Sequence, residues 1–143
     1  MTNNISNSDF FKRLSDNDLL GEEIALTNEV EINQSIISWH YRLIKNVIFK
    51  EKVIVRDAEI NSGLTFSNCN FEKGIVFHNV KSTNYDSHFN PNDHSILFLN
   101  CSSDYIVFEQ NCLMTRSVII SKNCKVEKVS INKMKIENLA SLS

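Results

Sequence analysis

The sequence predicts an all-β chain folded as a right-handed parallel β-helix of about five coils, with a short N-terminal capping helix. Three observations predict it: apolar residues recur in i, i+2 pairs, successive pairs follow at steps of five or six residues, and Asn or Asp often stands beside a pair. In the stretch FSNCNFEKGIVF, the step separates Phe66, Phe71 and Phe77. This spacing fits neither the period of an α-helix nor the alternation of an ordinary strand.

Length and composition are those of one globular domain. The chain has 143 residues, 42% hydrophobic and 22% charged, with a formal net charge of -2. So small a charge gives little attraction to nucleic acid, and a nucleic-acid partner is not expected. The sequence has neither a secretory start nor a run of about 18 apolar residues, the length that crosses a membrane. A cytoplasmic protein without a membrane span is expected.

Residues 1–23 are predicted to form a helical cap. In SNSDFFKRL a Ser or Asn start precedes Phe10, Phe11 and Leu14, which indicates a helix at about residues 8–15. Packed over the first coil, this helix would keep an open edge from recruiting another strand.

Residues 24–143 are predicted to form the β-helix. Side chains at i and i+2 share one face of a short strand, and the residues between pairs suffice for a corner. Four such strands close a coil of about 22 residues, and stacked coils pair as parallel strands. The second residue of each pair is expected to point into the core: Leu26, Ile32, Ile37, Leu43, Phe49, Val55, Ile60, Phe66, Phe71, Phe77, Phe98, Ser103, Phe108, Met114, Ile120, Val126, Ile131, Ile136 and Leu142.

The same register assigns structural roles to Asn, Asp and Cys. Asn and Asp accept turn conformations, and their side chains can pair from coil to coil. The predicted stacks are Asp57, Asn79 and Asn111 at one corner, Asn68, Asn100 and Asn123 at the opposite corner, and Cys69, Cys101 and Cys124 in the core. Because no CxxC or other metal-like spacing occurs, these three and Cys112 are predicted to be buried, reduced thiols.

Residues 81–95 are predicted to be a loop inserted into the helix. They include the one proline of the chain and several turn-forming Asn and Asp residues. Loops on a rigid scaffold often carry function, so Tyr85, His88, Phe89 and His94 are predicted to contact a partner. A metal site built from Asp86, His88, Asp93 and His94 is the alternative, but its spacing is generic. No metal and no cofactor are expected.

In VIVRDAEINSGLTFSNCNFEKGIVF and VIISKNCKVEKVSINKMKI the chain resembles the pentapeptide-repeat proteins, over roughly residues 24–142. It differs from them in its many six-residue steps and in degenerate signatures such as CNFEK. The resemblance implies a quadrilateral β-helix and a non-enzymatic interaction role. Some members of that family resemble DNA and act on topoisomerases.

Outward residues within the pairs indicate where a partner binds. On one face these are Ile54, Val76 and Val107, and on the opposite face they are Thr65, Leu97 and Ile119. Apolar residues outside a β-helix serve no core, so a continuous row predicts an interface, although scattered exposed apolar residues are common. We expect a non-enzymatic bacterial module that presents Ile54, Val76, Val107 and the inserted loop to a protein partner.

Two other functions stay open from the sequence. An inhibitor of a nucleic-acid enzyme such as a topoisomerase would need an acidic face, against which the near-neutral charge argues. A small carbohydrate-active β-helix would need carboxylates converging in one groove, and Asp57, Glu59 and Glu72 show no such spacing. The sequence also lacks phosphate-loop, nucleophile-elbow and His-Glu metal motifs.

The C-terminal coil has no evident cap. A final coil ending at Ile136, Leu139 and Leu142 would leave strand edges and core facing outward. Either the natural chain continues, or two chains stack their C-terminal coils about a two-fold axis. The sequence favours the homodimer.

Overall fold

The computed structural model describes residues 2–15, 23–33, 43–60, 64–82, 94–109, 111–114, 117–131 and 135–136. The helix is α1 (Asn7–Ser15). The strands are β1 (Asn3–Asn4), β2 (Ile24–Leu26), β3 (Val30–Ile32), β4 (Leu43–Lys45), β5 (Val47–Phe49), β6 (Val53–Ile60), β7 (Leu64–Ser67), β8 (Asn70–Phe71), β9 (Ile75–Ser82), β10 (His94–Leu99), β11 (Ser102–Phe108), β12 (Leu113–Met114), β13 (Ser117–Ile120), β14 (Lys125–Ile131) and β15 (Lys135–Ile136).

The strands stack as a parallel β-solenoid of about four turns, which confirms the predicted fold class. Four of them form a sheet in the order β13-β10-β7-β4, and the others belong to an 11-stranded sheet that wraps the remaining faces. Every strand pair in the described residues is parallel. Strands β6, β9 and β11 are long because each one runs past a corner onto the next face.

A ladder of phenylalanine rings fills the core. Phe49 stacks on Phe71 with ring centroids 5.0 Å apart, and Phe66 on Phe98 at 5.2 Å. Perpendicular contacts join the stacks, as between Phe66 and Phe71 at 5.4 Å. All these rings are fully buried. Rings one coil apart are close enough to stack because parallel strands repeat about every 4.8 Å.

The predicted row of inward residues is correct at most described positions, is wrong at Leu43, and ends at Ile131 in a side chain that is 44% exposed. Leu43 is 38% exposed, and Ile44 is buried in its place. The coil period explains the shift, because ladder residues on adjacent coils are 22 residues apart. That spacing pairs Ile44, rather than Leu43, with Phe66.

The corners carry Asn and Asp at most of the predicted positions, and one predicted side-chain pair, Asn79 with Asp57, is present. Left-handed backbone conformations occur at Asn46, Asp57, Asn68, Asn79, Asn100 and Asn111, with φ between 50° and 70°. Across coils the Asn68 amide donates to Asn46 Oδ1, and the Asn79 amide to Asp57 Oδ1, both at 2.8 Å. Asn tolerates this conformation better than residues with larger side chains. Asn123 lies in a turn but has no positive φ.

Helix α1 closes the N-terminal end, as predicted. The Ser6 hydroxyl accepts a hydrogen bond from the Asp9 backbone N–H at 3.1 Å, an N-cap contact. Phe10 and Leu14 are buried, and the Phe10 ring meets Phe49 edge-on at 5.9 Å. The helix therefore extends the aromatic core instead of merely covering it.

Strands occupy both ends of the predicted loop insertion. Strand β9 continues through Lys81 to Ser82, and β10 begins at His94. Ser95, also predicted as loop, is a buried strand residue. Residues 83–93 lie outside the described residues.

Candidate interaction surface

Ile54, Val76 and Val107 lie side by side on three successive coils. Ile54 pairs in register with Val76, and Val76 pairs with Val107. We call these three residues the apolar ladder. Glu31 continues the row beyond Ile54, and Ser130 beyond Val107, so that the apolar part is three coils long.

Burial is uneven along the apolar ladder. Ile54 and Val107 are half-buried, whereas Val76 is only 6% exposed, although both its neighbours in the strand, Ile75 and Phe77, point into the core. The predicted outward row is therefore least exposed at its centre, Val76. A central outward residue in a sheet has a neighbour on each side, and here both neighbours are branched aliphatic residues that cover it.

A polar row borders the apolar ladder, two residues further along the same strands. Arg56 and His78 are in register on adjacent coils. Arg56 reaches Glu31 with 3.5 Å between Nη1 and Oε1, and His78 Nδ1 lies 2.8 Å from Glu109 Oε2. All four side chains are between 42% and 47% exposed. We call these four residues the polar rim.

The other border of the apolar ladder carries a tyrosine ring. The Tyr105 ring lies against Gly74, where an added methyl group would come within 2.5 Å of the nearest ring carbon. Gly74 has a φ of +84°, a conformation that other residues rarely adopt. Gly74 thus allows both the turn and the close approach of the ring. Together, ladder, rim and Tyr105 form an apolar strip with polar and aromatic edges.

A second outward apolar row lies on the four-stranded sheet. Thr65 pairs with Leu43 on one side and with Leu97 on the other, and Leu97 pairs with Ile119. The predicted alignment of Thr65, Leu97 and Ile119 is confirmed, and Leu43 joins it after the change of register. Thr65 interrupts this row, so it is less continuous than the apolar ladder.

The remaining predicted contact residues are described in part or not at all. Tyr85, His88, Phe89, Leu139 and Leu142 lie outside the described residues. For the other two the backbone alone is described: His94 pairs with Ser117, and Ile136 with Met114.

Sequence reasoning missed the polar rim. Arg56 and His78 each follow directly after an inward residue, Val55 and Phe77, and their spacing is that of the coil. A search for polar residues repeating with the inward row would have found them. The contacts with Glu31 and Glu109 depend on side-chain reach between coils, which no sequence period encodes.

The four cysteines are free thiols, as predicted, but their burial differs. Cys69, Cys101 and Cys112 are buried, whereas Cys124 is half-buried, which corrects the prediction of four buried thiols. Burial raises the pKa of Cys69 and of Cys112. The pKa of Cys101 is lowered, mainly by a hydrogen bond with the Cys69 thiol.

Within the described residues, no three His, Cys, Asp or Glu side chains come together in a way that would hold a metal ion. No helix in that part of the chain is long and apolar enough to cross a membrane. The chain matches no protein-family model, no curated protein and no solved structure.

Proposed function

We propose that this chain is a non-enzymatic protein-interaction module whose apolar ladder and inserted loop contact a protein partner. The in-register row of Ile54, Val76 and Val107 carries the proposal. Ile54 and Val107, half-exposed on either side of the nearly buried Val76, offer a partner a surface that is already ordered, so binding costs little conformational entropy. The polar rim borders this strip on one side with groups that can form hydrogen bonds, as at the edges of protein interfaces.

The partner is expected to bring an apolar segment flanked by charged groups. Arg56 and Glu31 present opposite charges at one end of the rim, and His78 and Glu109 pair at the other. Because Arg56 already pairs with Glu31, and Glu109 with His78, the polar rim is expected to orient the partner but not to attract it strongly. The inserted loop, with Tyr85, His88, Phe89 and His94, is proposed to add contacts of its own.

The test compares two substitutions in strand β11. Val107→Arg places a charge in the apolar ladder, whereas Ser102→Arg places one at another half-buried outward position of the same strand. Proteins from an extract of the source cells are captured on wild type and both variants and quantified by mass spectrometry. A specific partner should be lost at least tenfold with Val107→Arg and kept with Ser102→Arg. Equal capture by all three proteins would mean that the apolar ladder is not part of the interface.

We infer that the chain is a degenerate relative of the pentapeptide-repeat proteins and acts in the bacterial cytoplasm. The coil spacing and the inward phenylalanines support the first inference. Four free cysteines support the second, because disulfides are rare in a reducing cytoplasm.

We also propose that two chains associate through their C-terminal coils. Burial of inward residues falls sharply there: Ile131 is 44% exposed, whereas Phe108, its partner on the preceding coil, is buried. Edges of this kind favour association. In the proposed dimer Ile136, Leu139 and Leu142 contribute to the contact.

Light scattering tests the dimer. Ile131→Lys and Leu142→Glu should each convert a dimer into a monomer, while Ser130→Lys, at an outward position of β14, should leave it intact. A monomeric wild type, or a dimer indifferent to the first two substitutions, would rule out stacking through this coil.

A further inference from the structure

Three cysteines lie opposite one another on successive coils. Ser102 pairs with Asn70 on one side and with Lys125 on the other. Since Cys69, Cys101 and Cys124 each precede one of these residues, they share a register. Backbone hydrogen bonds tie them together, from Ser102 to the Cys69 carbonyl at 3.0 Å and from Lys125 to the Cys101 carbonyl at 2.9 Å.

The thiols of Cys101 and Cys124 have the same orientation. Cys101 Sγ donates to the Phe66 carbonyl, and Cys124 Sγ to the Phe98 carbonyl, each at 3.3 Å. In addition, the Cys101 backbone N–H donates to Cys124 Sγ at 3.3 Å. Strands about 4.8 Å apart place the two Cα atoms within the range of about 4.4–6.8 Å found in disulfides. Because similarly oriented side chains on adjacent strands also keep their Cβ atoms about 4.8 Å apart, slightly more than the roughly 3.5–4.5 Å of a disulfide, joining the sulfurs takes a change of side-chain rotamer and a small approach of the two strands.

The two thiols differ in access to solvent. Cys124 is half-buried, whereas Cys101 is 3% exposed and Cys69 is 2% exposed. A small oxidant therefore meets Cys124 first. Cys101 is the neighbour placed to react next, because its backbone N–H already donates to Cys124 Sγ at 3.3 Å, and a lowered pKa favours its thiolate. Redox-active cysteines characteristically combine an accessible sulfur with a nearby resolving thiolate.

We propose that Cys124 and Cys101 are a peroxide-sensitive pair that closes into a disulfide between adjacent coils. The Cys124 thiolate attacks one peroxide oxygen, the O–O bond breaks, and a sulfenic acid forms as hydroxide leaves. The Cys101 thiolate then attacks the Cys124 sulfur, the S–O bond breaks, and a second hydroxide leaves. Protons from the two thiols convert both hydroxides to water. Two thiols are oxidised by two electrons, and one peroxide is reduced.

This pair is independent of the proposed partner surface. The disulfide would fasten β14 covalently to β11, at the coil where the core becomes exposed. Cys69 stays reduced, because its buried thiol donates to the Ile44 carbonyl at 3.4 Å and lies one coil further from Cys124.

The test treats the full chain with hydrogen peroxide and measures its mass without reducing agent. A loss of about 2 Da is expected, corresponding to one disulfide. Trypsin alone leaves Cys101 and Cys112 in one peptide, because no Lys or Arg lies between Lys81 and Arg116. A second protease that cleaves after Glu109 separates them. The expected linkage joins the Cys101 peptide to the short peptide containing Cys124.

Cys112 provides the matched control. Its thiol also donates to a carbonyl of the preceding coil, that of Phe77 at 3.5 Å, but its counterpart on that coil is Val80. Cys112→Ser should oxidise like wild type. Cys124→Ser should slow oxidation at least tenfold, and Cys101→Ser should leave a Cys124 sulfenic acid that dimedone traps.

Several outcomes would overturn the proposal. They are four intact thiols after excess peroxide, a bond between Cys69 and Cys101, a bond between two chains, or oxidation of Cys112 at the rate of Cys124. The peptide map of the oxidised wild-type protein shows which cysteines are joined, so the proposal can be tested even if a serine variant folds poorly.

Discussion

Replacing Phe71 by alanine should destabilise the fold more than most single substitutions can. The ring is fully buried and meets three others, Phe49 at 5.0 Å, Phe66 at 5.4 Å and Phe98 at 6.2 Å between centroids. Truncation of a buried phenylalanine typically costs about 3–5 kcal/mol. Each aromatic pair adds about 0.5–1.5 kcal/mol beyond burial, so Phe71 belongs at the upper end, about 4–5 kcal/mol.

The assay is urea unfolding followed by circular dichroism, with thermal unfolding beside it. At about 2–4 °C per kcal/mol for chains of this size, the midpoint should fall by about 8–20 °C. Phe11→Ala is the matched control, because this ring is half-buried on α1 and touches only the edge of the core. It should cost about 1 kcal/mol. If Phe71→Ala lowered the free energy of unfolding no more than Phe11→Ala does, the stacked phenylalanine rings would not be the stabilising core described here.

Three further predictions concern a corner, a turn and a thiol. Asn79→Ala should lower the free energy of unfolding in urea by about 1–3 kcal/mol, because the hydrogen bond to Asp57 is lost while residue 79 must still adopt a left-handed φ. Asn79→Gly should lose less, because glycine adopts that φ without strain. Gly74→Ala should destabilise by at least about 1 kcal/mol, and less in a Tyr105→Ala background, where the clash is gone. Burial raises the pKa of the Cys112 thiol. The contribution of Cys112 to the free energy of unfolding, measured as wild type minus Cys112→Ala, should therefore be constant below pH 9.0 and fall as pH rises above it.

Most of the fold was predictable because one period governs the sequence. Inward residues such as Phe66 and Phe77 must recur wherever a strand faces the core, so their row is visible without a structure. The error at Leu43 shows the limit of step counting, since steps of five or six residues back from Phe49 allow Ile44 or Leu43, whereas forward from Ile37 Ile44 would need a step of seven. Only the distance to Phe66 on the next coil selects Ile44.

The surface was less predictable, because it depends on neighbours between coils. The sequence indicated that Val76 points outward, but its burial follows from the side chains of Ile54 and Val107 on either side. Likewise, the half-burial of Cys124 reflects its place on the outermost described coil of that stack and not its residue type. The exposure of such side chains can be predicted only when the register of all the coils is known.

The core and the corners together determine what kind of binding surface this chain can offer. Stacked rings such as Phe77 and Phe108, 4.6 Å apart, hold the coils at a fixed distance from inside. Hydrogen bonds between corner side chains, such as that from Asn79 to Asp57, keep the same distance between coils at a corner. Outward residues on the intervening strands therefore repeat with little freedom to adjust. The partner proposed above would have to match that spacing from the start, and for that reason we expect the apolar ladder to recognise one shape selectively and not to accommodate many.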